Sequence, residues 1–184
     1  MTRPWQDTSP EWLNAQYANA EPHAARVRLH QVCSQDPRGW YPLLFDQLRQ
    51  RTPQQAFVFE LGCGNGALWK ENAQRIPPGW QLHLTDIYPD MIVTARRELK
   101  GLSHVIYYEI DGNNPLPLTS DTYDSVIANH MLYHVASVSK TLKEIYRILK
   151  KRGCLIATTT GPNHMATLFE LMQRFEPKFT ERKI

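Results

Sequence analysis

From Ala56 onward, short apolar runs alternate with amphipathic segments along the chain. Each run is rich in β-branched or aromatic residues and is followed by a turn signal, which is typical of buried strands. The predicted strands are Ala56–Leu61, Trp80–Thr85, His104–Ile110, Tyr123–Ala128 and Gly153–Thr159. This alternation predicts βαβ units and therefore a doubly wound, mainly parallel sheet of about five strands, with helices on both faces.

Helical spacing of apolar residues marks the segments between these strands. Gly66–Arg75 can be helical and is stopped by the Pro-Pro-Gly sequence at 77–79, and a last helix is predicted from about His164 to Phe175. Pro89 suits the first turn of a further helix, and Ser137 can cap another. Their predicted buried faces are Met91, Ile92, Ala95 and Leu99 in the first, and Val138, Leu142, Ile145 and Leu149 in the second.

The region before the first strand reads as helical, with apolar faces in His23–Cys33 and Trp40–Leu48. A length of 184 residues suits one domain. We therefore predict a helical extension or lid over 1–52, a Rossmann-like α/β core over 53–176 and a tail over 177–184. Aromatic residues in the extension could line an apolar lid, although such residues more often pack helices on a sheet.

Composition narrows the functional classes. No apolar stretch approaches the ~20 residues of a membrane span, and the first ten residues lack a secretory apolar region, so the expected location is the cytoplasm, without a membrane partner. Three separated cysteines suggest reduced thiols and no metal site. The net charge of +3 is too small to indicate nucleic acid. The basic run at 150–152 lies where a helix should end and suits the helix dipole.

Candidate chemistry lies just after the strands, where ligands bind in open parallel sheets. The first strand ends in Glu60-Leu61-Gly62-Cys63-Gly64-Asn65-Gly66. Alternating glycines let a ligand approach the backbone closely, and the following helix N-terminus could receive a carboxylate or phosphate. A tight turn without a ligand is the alternative.

Two further acids follow the next two strands. Asp86 comes 20 residues after Gly66, the spacing at which an acid meets ribose hydroxyls in dinucleotide folds. Asp111 could accept a hydrogen bond from an adenine amine. Taken singly, Asp86 could instead cap the helix before Pro89, and Asp111 could form a turn before Gly112. Three acids at three successive strand ends favour a nucleoside site.

These segments resemble class I S-adenosylmethionine (SAM)-dependent methyltransferases. ELGCGNG resembles the first motif of that family, LTDIYPDM the second and IDGNNPLPL the third, while ANHMLYHV and LKKRGCLIATTT resemble the fourth strand end and the turn into the fifth strand. The resemblance covers about Phe57 to Thr160. The lead-in containing GWYPLLFDQL and the segment GPNHMATLFEL also resemble a bacterial subgroup of small-molecule methyltransferases.

The resemblance implies SAM as the cofactor and assigns roles to residues. Glu60 would orient the loop and the methionine amine, Asp86 would hold the ribose and Asp111 the adenine, while Asn129 or His130 would lie near the sulfonium. Arg26 could reach the methionine carboxylate, with a surface ion pair as the alternative. The full implied cofactor set is Glu60, Leu61, Gly62, Cys63, Gly64, Asn65, Gly66, Asp86, Ile87, Asp111, Gly112, Asn129, His130 and Arg26.

Methyl transfer is an in-line displacement, so positioning supplies most of the catalysis, and a base is needed only for a protonated acceptor. The better candidates for such a base are His130 and His164, although a packing role is the alternative for each. The sequence Asn-His-Met-Leu at 129–132 differs from the Asn/Asp-Pro-Pro-Tyr of methyltransferases acting on DNA bases, so a small-molecule acceptor is expected. An NAD-dependent reductase is a weaker alternative, because no proton relay is evident.

One departure from the family concerns the end of the chain. The family's sheet usually continues through a sixth and a seventh strand, and the sequence ends at Ile184 without room for them. The fifth strand is then expected to carry an open edge, covered by a homodimer or another partner. A truncated, non-catalytic SAM-binding or partner-binding module is the alternative function.

Overall fold

A five-stranded sheet forms the centre of the molecule in the computed structural model, which describes residues 28, 32, 34, 36–161 and 166–176. All neighbouring strands pair in parallel, in the spatial order β3-β2-β1-β4-β5. The predicted Rossmann-like α/β fold is confirmed. The strands are β1 Ala56–Leu61, β2 Trp80–Asp86, β3 Val105–Glu109, β4 Tyr123–Asn129 and β5 Leu149–Thr158.

Helices precede the sheet, follow it and lie in three of the four connections between its strands, whereas the connection from β3 to β4, all of whose residues the structure describes, has none. Within the described residues they are α1 Trp40–Arg51, α2 Ala67–Glu71, α3 Pro89–Glu98, α4 Val138–Ile148 and α5 Ala166–Phe175, with short 3₁₀ turns at Ala73–Arg75 and Leu132–His134. None of the described helices is long and apolar enough to cross a membrane. Predictions for Arg26, for His164 and for most of 1–35 lie outside the described residues.

The predicted single helix over Gly66–Arg75 is wrong, because α2 ends at Glu71 and a separate 3₁₀ turn follows. Asn72 lies at the break and is buried. Its side-chain amide donates to the carbonyl of Leu68 at 2.8 Å and to that of Tyr41 at 3.2 Å. An amide side chain that bonds local carbonyls competes with the helical pattern. Asn72 therefore ends α2 and also ties it to α1.

Two apolar cores lie on opposite faces of the sheet. The α1-face core joins α1, α2 and α3 to alternate residues of β1 and β2, and the α4-face core joins α4 to the other side of the sheet. Trp69 and Trp80 are fully buried in the α1-face core. Because side chains alternate along a strand, Glu60 and Asp86 share the α1 face with the apolar residues two positions before them.

The predicted face of α3 is confirmed, since Met91, Ile92, Ala95 and Leu99 are all buried. The predicted face of α4 is wrong in part. Val138 and Leu142 are exposed, whereas the buried positions are Thr141, Ile145 and Ile148. Thr141 turns inward because its hydroxyl donates to the carbonyl of Gly112 at 2.9 Å. The predicted Ser137 cap is present, with the hydroxyl accepting from the backbone N–H of Lys140.

The fifth strand begins earlier than predicted, at Leu149, directly after α4. The basic run at 150–152 therefore belongs to β5 and not to the helix end, and Lys150 pairs with Asp124 at 2.8 Å. As expected, β5 lies at one edge of the described sheet. At the other strand ends the observed and predicted bounds differ by no more than one residue.

Candidate active site

The strand order reverses between β1 and β4, so the crevice expected for a ligand lies at the carboxyl ends of these two strands. Glu60 is near the end of β1, Asp86 ends the neighbouring β2, and Asn129 ends β4. Asn129 is two residues beyond Ile127, which belongs to the α1-face core. All three side chains are therefore on one face of the sheet, beside the reversal.

The glycine loop after β1 is held to β2 by Asp86. The backbone N–H of Gly64 donates to Oδ2 of Asp86 at 2.9 Å, and the N–H of Cys63 donates to the carbonyl of Thr85 at 2.7 Å. Gly64 has a φ of +54°, a left-handed conformation that suits glycine. A Cβ built on Gly64 would meet no atom of the described residues within 4 Å. The loop therefore turns Gly64 toward open space.

The other two glycines of the loop lie against protein atoms. At Gly66, where φ is +78°, a Cβ would lie 2.9 Å from Cδ1 of Leu99, so this glycine lets the loop pack on α3. At Gly62 a Cβ would lie 3.0 Å from Cβ of Met131. Gly64 alone among the three has open space on its Cα, and it is the position where a ligand can approach the backbone.

The predicted helix N-terminal anion site is not supported by the helix that follows. α2 has five residues, and the N–H of Ala67 already donates to Oδ1 of Asn65 at 3.2 Å. Cys63 is buried, and burial raises the pKa of its thiol well above the ordinary value. The side chains of Asn65 and Cys63 both make hydrogen bonds within this segment, and their contact with the cofactor stays a prediction.

Glu60 is buried, with only 2% of its surface exposed. Its Oε2 accepts a hydrogen bond from the indole N–H of Trp69 at 2.5 Å. Burial raises the pKa of Glu60 to about 8, the Trp69 hydrogen bond lowers it, and the charge of Asp86 raises it. No described residue donates to Oε1 of Glu60. A buried acid with a free oxygen suits a cationic ligand, whose charge would favour the ionised form.

Asp86 is 7% exposed and receives backbone hydrogen bonds. Besides Gly64, the N–H of Tyr88 donates to its Oδ1 at 3.0 Å. Burial raises the pKa of Asp86, and the backbone donors of Tyr88, Gly64 and Ile87 lower it. Each carboxylate oxygen can accept a second bond, so two ligand hydroxyls remain possible. Ile87, the next residue, has an exposed side chain.

Asp111 forms the turn that was the alternative to an adenine contact. Its Oδ1 accepts from the backbone and side chain of Asn113, and its Oδ2 accepts from the side chain of Asn114. Gly112 is buried beside the site. A Cβ at this position would lie 3.3 Å from Cδ2 of Leu61, so the backbone and Leu61 are in close contact. The turn does not exhaust the acceptors of Asp111, so its contact with adenine stays a prediction.

At the β4–β5 end the polar side chains are only half-buried. Oδ1 of Asn129 accepts from the hydroxyl of Thr158 at 2.7 Å and from the indole N–H of Trp40 at 3.2 Å. The backbone N–H of His130 donates to the Thr158 hydroxyl oxygen at 3.0 Å. These contacts join the start of α1 to the ends of β4 and β5.

His130, one of the two predicted bases, has a φ of +52° and lies beyond Asn129. Its ring centroid is 5.3 Å from that of Trp40 and 6.4 Å from that of Tyr133. The ring is therefore part of an aromatic group beside the site, and its role as a base stays a prediction. The other predicted base, His164, is outside the described residues.

Three residues of this site were not predicted from the sequence. Trp69 holds Glu60, Thr158 holds Asn129, and Met131 lies between Gly62 and Gly112. Trp69 reads as one apolar position of a helix and Thr158 as one of three threonines after an apolar run. A signal for Thr158 does exist, because it ends a strand beside Asn129 in the sheet.

Comparison with known proteins gives a family match over much of the chain. Residues 59–157 match the family described as "Methyltransferase domain". Two relatives are a malonyl-[acyl-carrier protein] O-methyltransferase of Enterobacter lignolyticus, 27% identical over 72% of this chain, and a demethylmenaquinone methyltransferase of Symbiobacterium thermophilum, 30% identical over 54%. The chain spans 51% of the length of the first relative and 40% of the length of the second.

A solved structure similar in fold is the [4+2]-cyclase SpnF, with a TM-score of 0.64 and 22% identity. The match covers 81% of this chain and 59% of that one. At this identity the likeness concerns the fold, which is the one described above.

Proposed function

The chain belongs to the class I SAM-dependent methyltransferase family, and on that premise we propose that it transfers a methyl group from SAM to a small-molecule acceptor. One observation carries the proposal. Gly64 faces open space on a left-handed backbone and is tied to Asp86, beside a buried Glu60 with a free oxygen. A nucleoside with a cationic end fits this combination of an open backbone and two acids.

The residues of the β1–β2 end would hold the cofactor. Each carboxylate oxygen of Asp86 already accepts one backbone hydrogen bond, from Gly64 or from Tyr88. Each would accept a second hydrogen bond, from a ribose hydroxyl. Oε1 of Glu60 would accept a hydrogen bond from the methionine ammonium, while its Oε2 accepts the one from the indole N–H of Trp69. When bound, SAM supplies an electrophilic methyl group on a sulfonium. Asp111, Gly112, Leu61 and Ile87 would border the adenine side.

The β4–β5 end would hold the acceptor. Most of the rate enhancement in such a displacement comes from placing the nucleophile in line with the methyl group. Asn129 and His130 are at the strand reversal, and Trp40 lies beside both. His130 would take a proton from the acceptor where one must be removed.

A small-molecule acceptor is supported by one relative and by charge. That relative is named for demethylmenaquinone, a small molecule, whereas the other is named for a malonyl group carried on acyl-carrier protein. The net charge of +3 gives little attraction for a phosphate backbone. Cytoplasmic localisation and a homodimer over the outer edge of β5 remain predictions.

Titration calorimetry with SAM and with S-adenosylhomocysteine tests the proposal. We expect binding by the parent protein and about tenfold or greater weakening by Asp86→Asn, which removes a charge and one acceptor. Asp121→Asn is the matched control, because Asp121 is exposed in the turn before β4 and Asn tolerates its φ of +54°. Absence of binding to the parent would exclude the function, as would equal affinities in the two variants.

A metabolite-extract screen with methyl-labelled SAM separates turnover from binding. Transfer of label to a small molecule supports the enzyme. Binding without any transfer would favour the non-catalytic SAM-binding module instead.

A further inference from the structure

Hydrogen-bond directions at the end of β4 determine how the Asn129 amide is oriented. The indole N–H of Trp40 can only donate, so the Asn129 atom that it contacts at 3.2 Å must be the oxygen. The Thr158 hydroxyl oxygen accepts from the N–H of His130, which leaves its own proton to donate to the same Asn129 oxygen at 2.7 Å. Both contacts therefore agree on one amide orientation.

The Asn129 oxygen is then fully used, because an amide oxygen has two lone pairs and each receives one donor. The amide nitrogen carries two N–H groups, and no described residue accepts from either. Asn129 is half-buried at the strand reversal, on the face that Glu60 and Asp86 share. The Asn129 amide therefore offers a ligand its two N–H donors, whereas its oxygen is not available as an acceptor.

This arrangement discriminates between classes of methyl acceptor. An oxygen nucleophile such as a phenolate, enolate or carboxylate can accept a hydrogen bond from the Asn129 amide nitrogen. An amine needs an acceptor for its N–H, and the Asn129 oxygen is already occupied by Trp40 and Thr158. A site with a fixed donor rejects a ligand that cannot use it, because polar groups are then left unpaired.

We propose that Asn129, held by Trp40 and Thr158, binds an oxygen atom of the acceptor and makes the site selective for oxygen-bearing acceptors over amines. The inference rests on the proposed function and specifies the substrate class of the same site. Asn129 is the binding residue, and Trp40 and Thr158 are positioning residues. In the transfer itself, the acceptor atom forms a bond to the methyl carbon as the carbon–sulfur bond breaks, and the sulfur keeps that electron pair.

A matched set of ring compounds tests the selectivity without a known substrate. Calorimetry on the protein loaded with S-adenosylhomocysteine would use 2-naphthol, 2-naphthoic acid and 2-naphthylamine, which differ only in the acceptor group. We expect the two oxygen compounds to bind about fivefold or more tightly than the amine. Asn129→Ala should weaken the oxygen compounds about tenfold and leave the amine within about twofold.

Thr158 variants test positioning as distinct from folding. Thr158→Val removes the donor to Asn129, which frees one lone pair for an amine N–H, so the preference for naphthol over naphthylamine should fall to near unity. Thr158→Ser keeps the hydroxyl and should restore the preference. A purely structural role would change the melting temperature and all three affinities together.

The inference is overturned if the amine binds as tightly as naphthol, if neither oxygen compound binds, or if Asn129→Ala weakens all three compounds equally. Failure of S-adenosylhomocysteine to bind in the first titration would instead remove the proposed function, and this inference with it. The two failures are thus read from different titrations.

Discussion

Glu60 and Asp86, at the ends of β1 and β2, are 2% and 7% exposed, whereas Asn129 and Thr158, at the ends of β4 and β5, are half-buried. The first pair are acids with raised pKa values, and the second pair are neutral groups that bond to each other. The two ends of the crevice therefore recognise ligands by different means.

Burying an ionisable acid costs free energy unless a partner favours its charged form. Glu60 and Asp86 carry this free-energy cost at the β1–β2 end, and a bound cationic ligand would offset it by favouring their ionised forms. The β4–β5 end has no such cost, because its side chains are neutral and only half-buried. Selectivity there depends on the direction of hydrogen bonds rather than on charge.

The largest effect is expected from Gly64→Ala. The left-handed backbone at Gly64 should cost the variant about 1–2 kcal/mol of unfolding free energy. The added methyl group would occupy the open space through which a ligand reaches the backbone, so affinity for S-adenosylhomocysteine should fall about 100-fold. Calorimetry measures the affinity and urea denaturation the stability.

Gly101→Ala is the control for this change, because a Cβ there also meets no described atom within 4 Å and its φ is ordinary. Its affinity should match that of the parent. Retention of affinity within about threefold by Gly64→Ala would show that the open space is not the ligand site.

Glu60→Gln tests the cost of the buried acid. The pKa of Glu60 is raised from 4.5 to about 8, so the carboxyl takes up a proton on folding between these values. The free energy of unfolding of the parent should therefore fall as pH rises through this window. Gln keeps an acceptor for Trp69 and cannot ionise. The stability of the variant relative to the parent should rise by about 2 kcal/mol between about pH 6 and about pH 8.5.

Urea denaturation at the two pH values measures this difference. Asp86 is present in both proteins, so the comparison removes its contribution. Parallel pH profiles for parent and variant would mean that the Glu60 carboxyl does not titrate in the window.

Trp69→Phe removes the donor to the same carboxyl and keeps an aromatic ring in the core. A buried acceptor then loses its partner, and we expect a loss of about 1–2 kcal/mol in unfolding free energy. The pKa of Glu60 should rise further, because the Trp69 hydrogen bond lowers it. In the Glu60→Gln background the same change should retain its effect on stability but lose its effect on the pH profile.

The sheet and the site acids could be predicted from the sequence because they depend on local pattern. Short apolar runs mark the strands, and a polar residue at the end of a run must lie at the carboxyl edge of the sheet. The predicted positions of Glu60, Asp86 and Asn129 at strand ends follow from this alone, and the order β3-β2-β1-β4-β5 places those ends side by side.

The partners of these residues could not be predicted, because they depend on which helix face turns inward. α4 has apolar residues on two stripes, and the hydrogen bond from Thr141 to Gly112 accompanies the inward turn of the less apolar one. Trp69 reads only as an apolar helix position until the packing of α2 brings its N–H to Glu60. Trp40 and Asn129 are 89 residues apart, and no local pattern links them.

Trp40→Phe makes the same substitution at the other end of the crevice and should have the smallest effect on stability. Trp40 is 44% exposed, and its indole N–H donates to an Asn129 oxygen that also receives the Thr158 hydroxyl. Water can replace the lost donor, so urea denaturation should show a loss below about 0.5 kcal/mol, against about 1–2 kcal/mol for Trp69→Phe. Losses of similar size in the two variants would contradict the contrast between a buried acidic end and a solvated neutral end. If the contrast holds, Trp40→Phe should still weaken the preference of the site for naphthol over naphthylamine, because one lone pair of the Asn129 oxygen becomes available to an amine.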